Sequence, residues 1–84
     1  MSADDRLAAR IGAALVCRVD GATRADVKAA EWRGRWRAWA HVYALDGTVS
    51  WSPRTEHPRK RDALRALAAF ARIPEEELSE ETTE

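Results

Sequence analysis

The chain has 84 residues, a formal net charge of zero, 45% hydrophobic and 33% charged side chains, values typical of one small globular domain and not of a disordered chain. A domain of this size buries only about two-thirds of its unfolded surface, so a large internal active-site cavity is not expected. The single cysteine excludes an intramolecular disulfide and a multi-cysteine metal site.

The zero net charge hides an uneven distribution. Residues 1–31 hold five basic and five acidic side chains, residues 32–72 hold nine basic and three acidic ones, and residues 73–84 hold six glutamates and no basic residue. We predict a single small domain over residues 1–73 and an acidic, flexible tail over residues 74–84. The tail has two candidate roles. It would solubilise the chain, or it would fold back on the basic residues 32–72 and compete with a ligand of that region.

The first residues predict a helix. Ser2 followed by Asp5 is a start that resembles a capping box, and apolar residues then recur at helical spacing as far as Leu15. We therefore predict a helix over roughly residues 3–16. The N-terminus lacks the basic segment of a signal peptide, and no apolar run is long enough to span a membrane, so a cytoplasmic location is expected.

Residues 16–31 allow two interpretations. Thr23 with Asp26 offers a second helix start, and the alanines that follow favour a helix to about residue 30. The alternative is a hairpin around Asp20-Gly21. Residues 28–33 are a candidate third strand if Gly34 marks another turn.

The clearest pattern is the alternation of residues 32–44. Successive side chains of a strand point to opposite faces. One face would carry Arg33, Arg35, Arg37, Trp39, His41 and Tyr43. The other face would carry the side chains that can pack on a core, which are Trp32, Gly34, Trp36, Ala38, Ala40, Val42 and Ala44.

The dipeptide Asp46-Gly47 follows this strand and predicts a two-residue hairpin turn. Such a turn would pair Val42 with Trp51 and His41 with Ser52. Val49 and Trp51 would then lie on the core face, and Ser52 would lie on the arginine face.

The segment from Thr55 to Pro58 predicts the start of the last helix, whose apolar stripe includes Leu64 and Leu67 and which ends at Ile73-Pro74. The predicted fold class is α+β. It comprises an N-terminal helix, with or without a second one, an antiparallel β-hairpin or three-stranded sheet with the Asp46-Gly47 turn, and a C-terminal helix packed on one sheet face.

The arginine and aromatic face predicts a small, non-enzymatic nucleic-acid-binding or regulatory protein, because arginines contact phosphates and aromatic rings stack on bases. Arg33, Arg35, Arg37, Arg54 and Lys60 would contact phosphates, Trp39 and Tyr43 would stack, and His41 and Ser52 would donate or accept hydrogen bonds. Two alternatives give this face no ligand. Its arginines would only solubilise an exposed sheet, or another element would cover it.

A second hypothesis is a protein-binding module, such as a small inhibitor, an antitoxin-like or accessory protein, or a homodimer through the sheet, because Trp and Arg are also enriched at protein interfaces. DNA is slightly favoured over RNA, and no membrane partner, cofactor or metal is expected. Catalysis is not expected either, because His41 and His57 lack metal-ligand spacing and no set of nucleophile, base and pocket is evident.

The order of strand, Asp-Gly hairpin, strand and basic helix in residues 32–72 resembles the arm-binding domains of tyrosine recombinases and the AP2-type DNA-binding fold. These resemblances imply a sheet face that lies in the DNA major groove. With the first helix included, the outline is also similar to the double-stranded-RNA-binding domain. The glycine-flanked lysine cluster that precedes the last helix of that domain is missing here.

Overall fold

The computed structural model describes residues 2–74 and confirms the α+β fold class. In chain order the elements are α1 (Ala3–Arg18), β1 (Ala22–Trp32), β2 (Arg35–Ala44), β3 (Val49–Trp51), β4 (Thr55–His57) and α2 (Lys60–Phe70). All strand pairs are antiparallel, with β1 along one edge of β2 and both β3 and β4 along the other edge. The central strand is therefore β2.

Helix α1 begins as predicted. The Ser2 hydroxyl accepts a hydrogen bond from the Asp5 backbone N–H at 3.1 Å, and the Asp5 carboxylate accepts one from the Ser2 backbone N–H at 3.5 Å, which completes the capping box. The helix buries Leu7, Ile11 and Leu15 and continues to residue 18, two residues beyond the predicted end.

The second predicted helix is wrong, because residues 22–32 form β1. In this strand the charged Arg24, Asp26 and Lys28 alternate with smaller apolar residues, and each residue from Arg24 onward pairs with one of β2. The two-residue turn Arg33-Gly34 joins the strands, with φ of 54° and 76°, the positive values that a type I′ hairpin turn requires. Ladder pairing and packing against α1 outweigh the modest helix preference of the alanines.

The turn between β2 and β3 is one residue longer than predicted. The Ala44 backbone N–H donates to Thr48 O at 3.0 Å and the Gly47 N–H donates to Ala44 O at 3.1 Å, while Gly47 has a φ of 88°. This is a type I turn followed by a left-handed glycine. The strands consequently pair His41 with Trp51, and this one-residue slip moves every β3 side chain to the opposite face from the predicted one.

The segment Thr55–His57 forms β4 instead of starting the last helix, and α2 begins only at Lys60. The pairing with β2 shifts by one residue between β3 and β4, so the two strands follow one edge of β2 with a bulge between them. Pro53, which has no backbone N–H to donate, lies at this irregularity.

Both helices pack on the same face of the sheet, which we call the covered face. The buried core joins α1 and α2 to β2 and comprises Leu7, Ile11, Leu15, Ala38, Ala40, Val42, Ala63, Leu64, Leu67, Ala68, Ala71 and Ile73. Arg61 Nε lies 3.2 Å from Asp4 Oδ1, which links the N-terminal ends of the two helices. No element within residues 2–74 packs on the other side of the sheet, which we call the open face.

Candidate functional site

The strand register defines which residues share the open face. Residues paired directly across an antiparallel ladder lie on the same face, so β1, β2, β3 and β4 contribute together. The open face comprises Arg24, Asp26, Lys28, Ala30 and Trp32 of β1, Arg35, Arg37, Trp39, His41 and Tyr43 of β2, Val49 and Trp51 of β3, and Glu56 of β4.

The structure brings most of the predicted residues together on this face. Arg35, Arg37, Trp39, His41 and Tyr43 alternate along β2 as the sequence predicts. Two further predicted residues lie beside them. The Arg54 guanidinium carbon is 5.1 Å from the centre of the Trp39 ring, and that of Arg33, in the β1–β2 turn, is 4.4 Å from the centre of the Trp32 ring.

Two predicted residues lie elsewhere. The prediction that Ser52 lies on this face was wrong, and Lys60 lies at the start of the last helix, as the sequence predicts. The Ser52 hydroxyl accepts a hydrogen bond from the Ala40 backbone N–H at 2.7 Å and donates one to Pro53 O at 3.1 Å, so it caps the sheet at the bulge. Lys60 Nζ lies 5.5 Å from the centre of the Trp36 ring, which belongs to the covered face.

The sequence interpretation missed two tryptophans on the open face. Trp32 is 53% exposed and Trp51 is 67% exposed, although both were predicted on the core face. Trp32 changes face because the Arg33-Gly34 turn interrupts the alternation, and Trp51 changes face because of the longer turn before β3.

The sequence interpretation also missed two cations, Arg24 and Lys28, because their segment was predicted to be helical. A signal for them was present. The stretch Arg24-Ala25-Asp26-Val27-Lys28-Ala29 alternates charged and apolar residues with the period of a strand.

Arginine side chains lie over the aromatic rings of the open face. The Arg24 guanidinium carbon is 4.3 Å from the centre of the Tyr43 ring, and that of Arg37 is 5.1 Å from the centre of the Trp32 ring. Such cation–π contacts hold the planar guanidinium against a ring. The donors at the edges of that plane remain able to form hydrogen bonds with a carboxylate or phosphate.

Glu56 holds two of these arginines. Its carboxylate oxygens lie 2.8 Å from Arg37 Nε and 3.0 Å from Arg35 Nε. Hydrogen bonds from Arg37 and then Arg35 lower the pKa of Glu56 from its ordinary value of 4.5. Together with Arg33 and Arg54, the open face carries six basic and two acidic side chains, so its net charge is positive by four.

His41 lies in the middle of the open face, across from Asp26 on β1. The centre of its ring is 3.8 Å from that of Trp51, and its Nε2 atom is buried without a hydrogen-bond partner in the described structure. The predicted hydrogen bond from His41 to a ligand could therefore use Nε2 only if this atom became exposed.

The described residues give few features of other classes of site. No three metal-ligating side chains come together within residues 2–74, and Cys17 is exposed in the last turn of α1. None of the helices in this range is long and apolar enough to cross a membrane. The acidic tail lies outside the described residues apart from Pro74.

Comparison with known proteins gives no match for this chain, whether the comparison is with models of protein families, with curated proteins or with solved structures.

Proposed function

We propose that this protein binds nucleic acid through the open face of its sheet. The observation that carries the proposal is the combination, on one uncovered surface, of a net charge of +4 with two tryptophans that are more than half exposed. Cations attract the phosphate backbone from a distance and lose affinity as salt increases. Exposed rings offer stacking surfaces, each worth about 1–3 kcal/mol per base.

Unpaired bases fit this surface better than a duplex. Trp51 extends from a short strand and is 67% exposed, so a base can stack on its ring without losing a Watson–Crick partner. Lys28, Arg33 and Arg54 would contact phosphates first, because Arg35 and Arg37 already share the Glu56 carboxylate and Arg24 lies 3.7 Å from the Asp26 carboxylate. A cytoplasmic location belongs to the same proposal.

The test is a titration of tryptophan fluorescence with random single-stranded DNA, single-stranded RNA and duplex DNA, at low and at moderate salt. We expect saturable quenching that weakens with salt and is strongest for the single strands. Arg54→Gln should weaken binding and lower the slope of log affinity against log salt by about one.

A matched control is Lys60→Gln, which removes one charge beside Trp36 on the covered face and should leave affinity unchanged. Glu56→Gln should strengthen binding, since it releases the guanidinium groups of Arg35 and Arg37. The proposal fails if the protein does not respond to any nucleic acid at low salt, or if Lys60→Gln weakens binding as much as Arg54→Gln.

A second candidate function, binding of a protein partner, is favoured by an apolar group at the end of the β2–β3 hairpin. Leu45 is 84% exposed and Val49 is 41% exposed, and Trp51 lies on the same short strand as Val49. Exposed apolar side chains that cluster in this way are typical of interaction surfaces. Leu45→Lys should abolish capture of such a partner but should not weaken binding of nucleic acid.

A further inference from the structure

The outer edge of β1 is free. This strand of 11 residues pairs only with β2, and no other strand lies along it within residues 2–74. Long edge strands are templates for pairing with another chain, and proteins usually keep them short or block them with proline, charged side chains or bulges. The segment Ala22–Trp32 contains no proline and is not short, its irregularity lies at its first residues, and its charged residues Arg24, Asp26 and Lys28 alternate in sign, so they can attract a second strand.

The hydrogen-bonding groups of this edge can be assigned from the hairpin. A two-residue turn makes the residues that flank it, Trp32 and Arg35, a hydrogen-bonded pair. Because hydrogen-bonded and non-hydrogen-bonded pairs alternate in an antiparallel ladder, Ala25, Val27 and Ala29 direct their backbone N–H and C=O groups away from β2. These are the groups that an added strand would bind.

A groove of mixed polar and apolar lining lies beside this edge on the helix side, where β1 contributes Asp26 and Lys28 as well as Ala25 and Val27. It has a volume of about 380 Å³ between α1 and β1, and its α1 wall includes Ala9, Gly12, Ala13 and Val16. Gly12 faces the strand so closely that a Cβ there would lie 3.4 Å from Ala25 O. An added strand would therefore bury small apolar side chains beside α1 as well as satisfy the backbone groups.

We propose that the occupant of this edge is a second copy of the chain, whose β1 pairs antiparallel with the first about a two-fold axis at Val27. Strand length and charge complementarity together select this register. Val27 is the central residue of β1, so this axis pairs all 11 residues of the strand, and it places Asp26 opposite Lys28 of the second copy, and Lys28 opposite Asp26 of the second copy. An axis at Ala25 would also oppose unlike charges, Arg24 and Asp26, but would pair only residues 22–28. An axis at Asp26 would oppose two aspartates and would set Arg24 against Lys28, and an axis at Lys28 would oppose two lysines.

This pairing has a consequence for the surface of the assembly. Strand pairing about a two-fold axis perpendicular to the sheet keeps the helices of both copies on one side. The sheet becomes continuous across the two copies, and their open faces lie next to each other on the other side. The inference itself depends only on β1 and α1, and it holds whether or not the open face binds nucleic acid.

The experiment is sedimentation equilibrium of the full chain over a concentration series, because the copy number is then read directly from the mass. We expect twice the 9.4 kDa of one chain at the higher concentrations. Lys28→Asp should weaken self-association at least about tenfold, since it turns two attractive pairs into two repulsive ones. The double variant Asp26→Lys/Lys28→Asp exchanges the charges and should restore the dimer.

Two matched variants complete the design. Lys60→Asp makes the same change of charge on the covered face and should leave the mass unchanged, as should Trp51→Ser on the open face. Circular dichroism confirms that each variant is folded, and Asp26→Lys alone replaces Lys28→Asp if that variant unfolds.

The inference is overturned if the wild-type chain stays monomeric throughout the series, or if Lys28→Asp leaves the dimer intact. It is equally overturned if the double variant stays monomeric. Loss of the dimer in Trp51→Ser would instead mean that the copies meet through their open faces, and would also contradict the proposed edge pairing.

Discussion

The two faces of β2 reverse a common arrangement, in which the large side chains of a strand face the core and the small ones face solvent. The covered face carries Ala38 and Ala40, which are fully buried, whereas the open face carries the large rings of Trp39 and Tyr43, which are only partly buried. Small side chains on the covered face allow α1 and α2 to approach the strand, and the helices supply leucine and isoleucine to fill the core. The aromatic residues of β2 are therefore mostly not part of the core.

If the open face binds nucleic acid as we propose, the two faces serve different purposes, stability on the covered face and binding on the open face. Burial of aliphatic groups on the covered face supplies most of the stability, because it removes the larger apolar area from water. The rings and arginines of the open face contact one another but retain exposure to solvent. Substitutions on the two faces should consequently affect different measurements, stability for the covered face and binding for the open face.

The largest expected effect is on the covered face. Leu67 is fully buried between the helices and the sheet, and Leu67→Ala should lower the free energy of unfolding by about 2–5 kcal/mol, because it removes buried methyl groups and leaves a cavity. Urea denaturation followed by circular dichroism measures this change. A loss below about 1 kcal/mol would contradict the assignment of Leu67 to the core.

The next effect separates binding from stability on the open face. Trp51→Ser should change the free energy of unfolding by about 1 kcal/mol or less, since the ring is 67% exposed. It should weaken binding of single-stranded nucleic acid by about 1–3 kcal/mol if a base stacks on this ring. Fluorescence anisotropy of a labelled oligonucleotide measures the affinity. A large loss of stability with unchanged affinity would make Trp51 a structural residue.

A smaller effect tests the turn that sets which face β3 presents. Gly47 has a φ of 88°, where a Cβ is unfavourable, so Gly47→Ala should cost about 1 kcal/mol of stability. Gly47→Asn is the matched control, because asparagine tolerates this conformation and should cost less. Equal losses for the two variants in thermal unfolding would argue against a left-handed residue at this position.

The smallest expected effect concerns Glu56. The pKa of Glu56 is lowered in the folded state. Its interactions with Arg37 and Arg35 therefore stabilise the fold at pH values above 4.5, the ordinary pKa of this carboxyl. That contribution should disappear as the pH falls through the lowered folded-state pKa. The difference in stability between the wild type and Glu56→Gln should therefore shrink on acidification. A difference that is independent of pH would mean that the ion pairs do not stabilise the protein.

The sequence predicted some local features correctly. The capping box at Ser2 and Asp5 gave the start of α1, and the alternation in residues 35–44 gave β2 with the correct assignment of its two faces. These features depend on neighbours within a few positions of the chain, so the sequence carries their signal directly. The same reasoning placed five of the nine predicted site residues on the open face by alternation alone.

The remaining errors share one physical cause, which is that pairing partners and turn lengths are tertiary properties. The alanines of residues 22–32 prefer helix, whereas the alternation of Arg24, Asp26 and Lys28 favours a strand, and the ladder with β2 and the contact with α1 decide between the two. An Asp-Gly pair allows two turn lengths, and the choice of the longer one moved Trp51 from the predicted core to the open face. Thus the sequence by itself determined α1, β2 and the faces of β2. The tertiary structure decided which residues join those faces, because one step in register inverts every side chain of a strand.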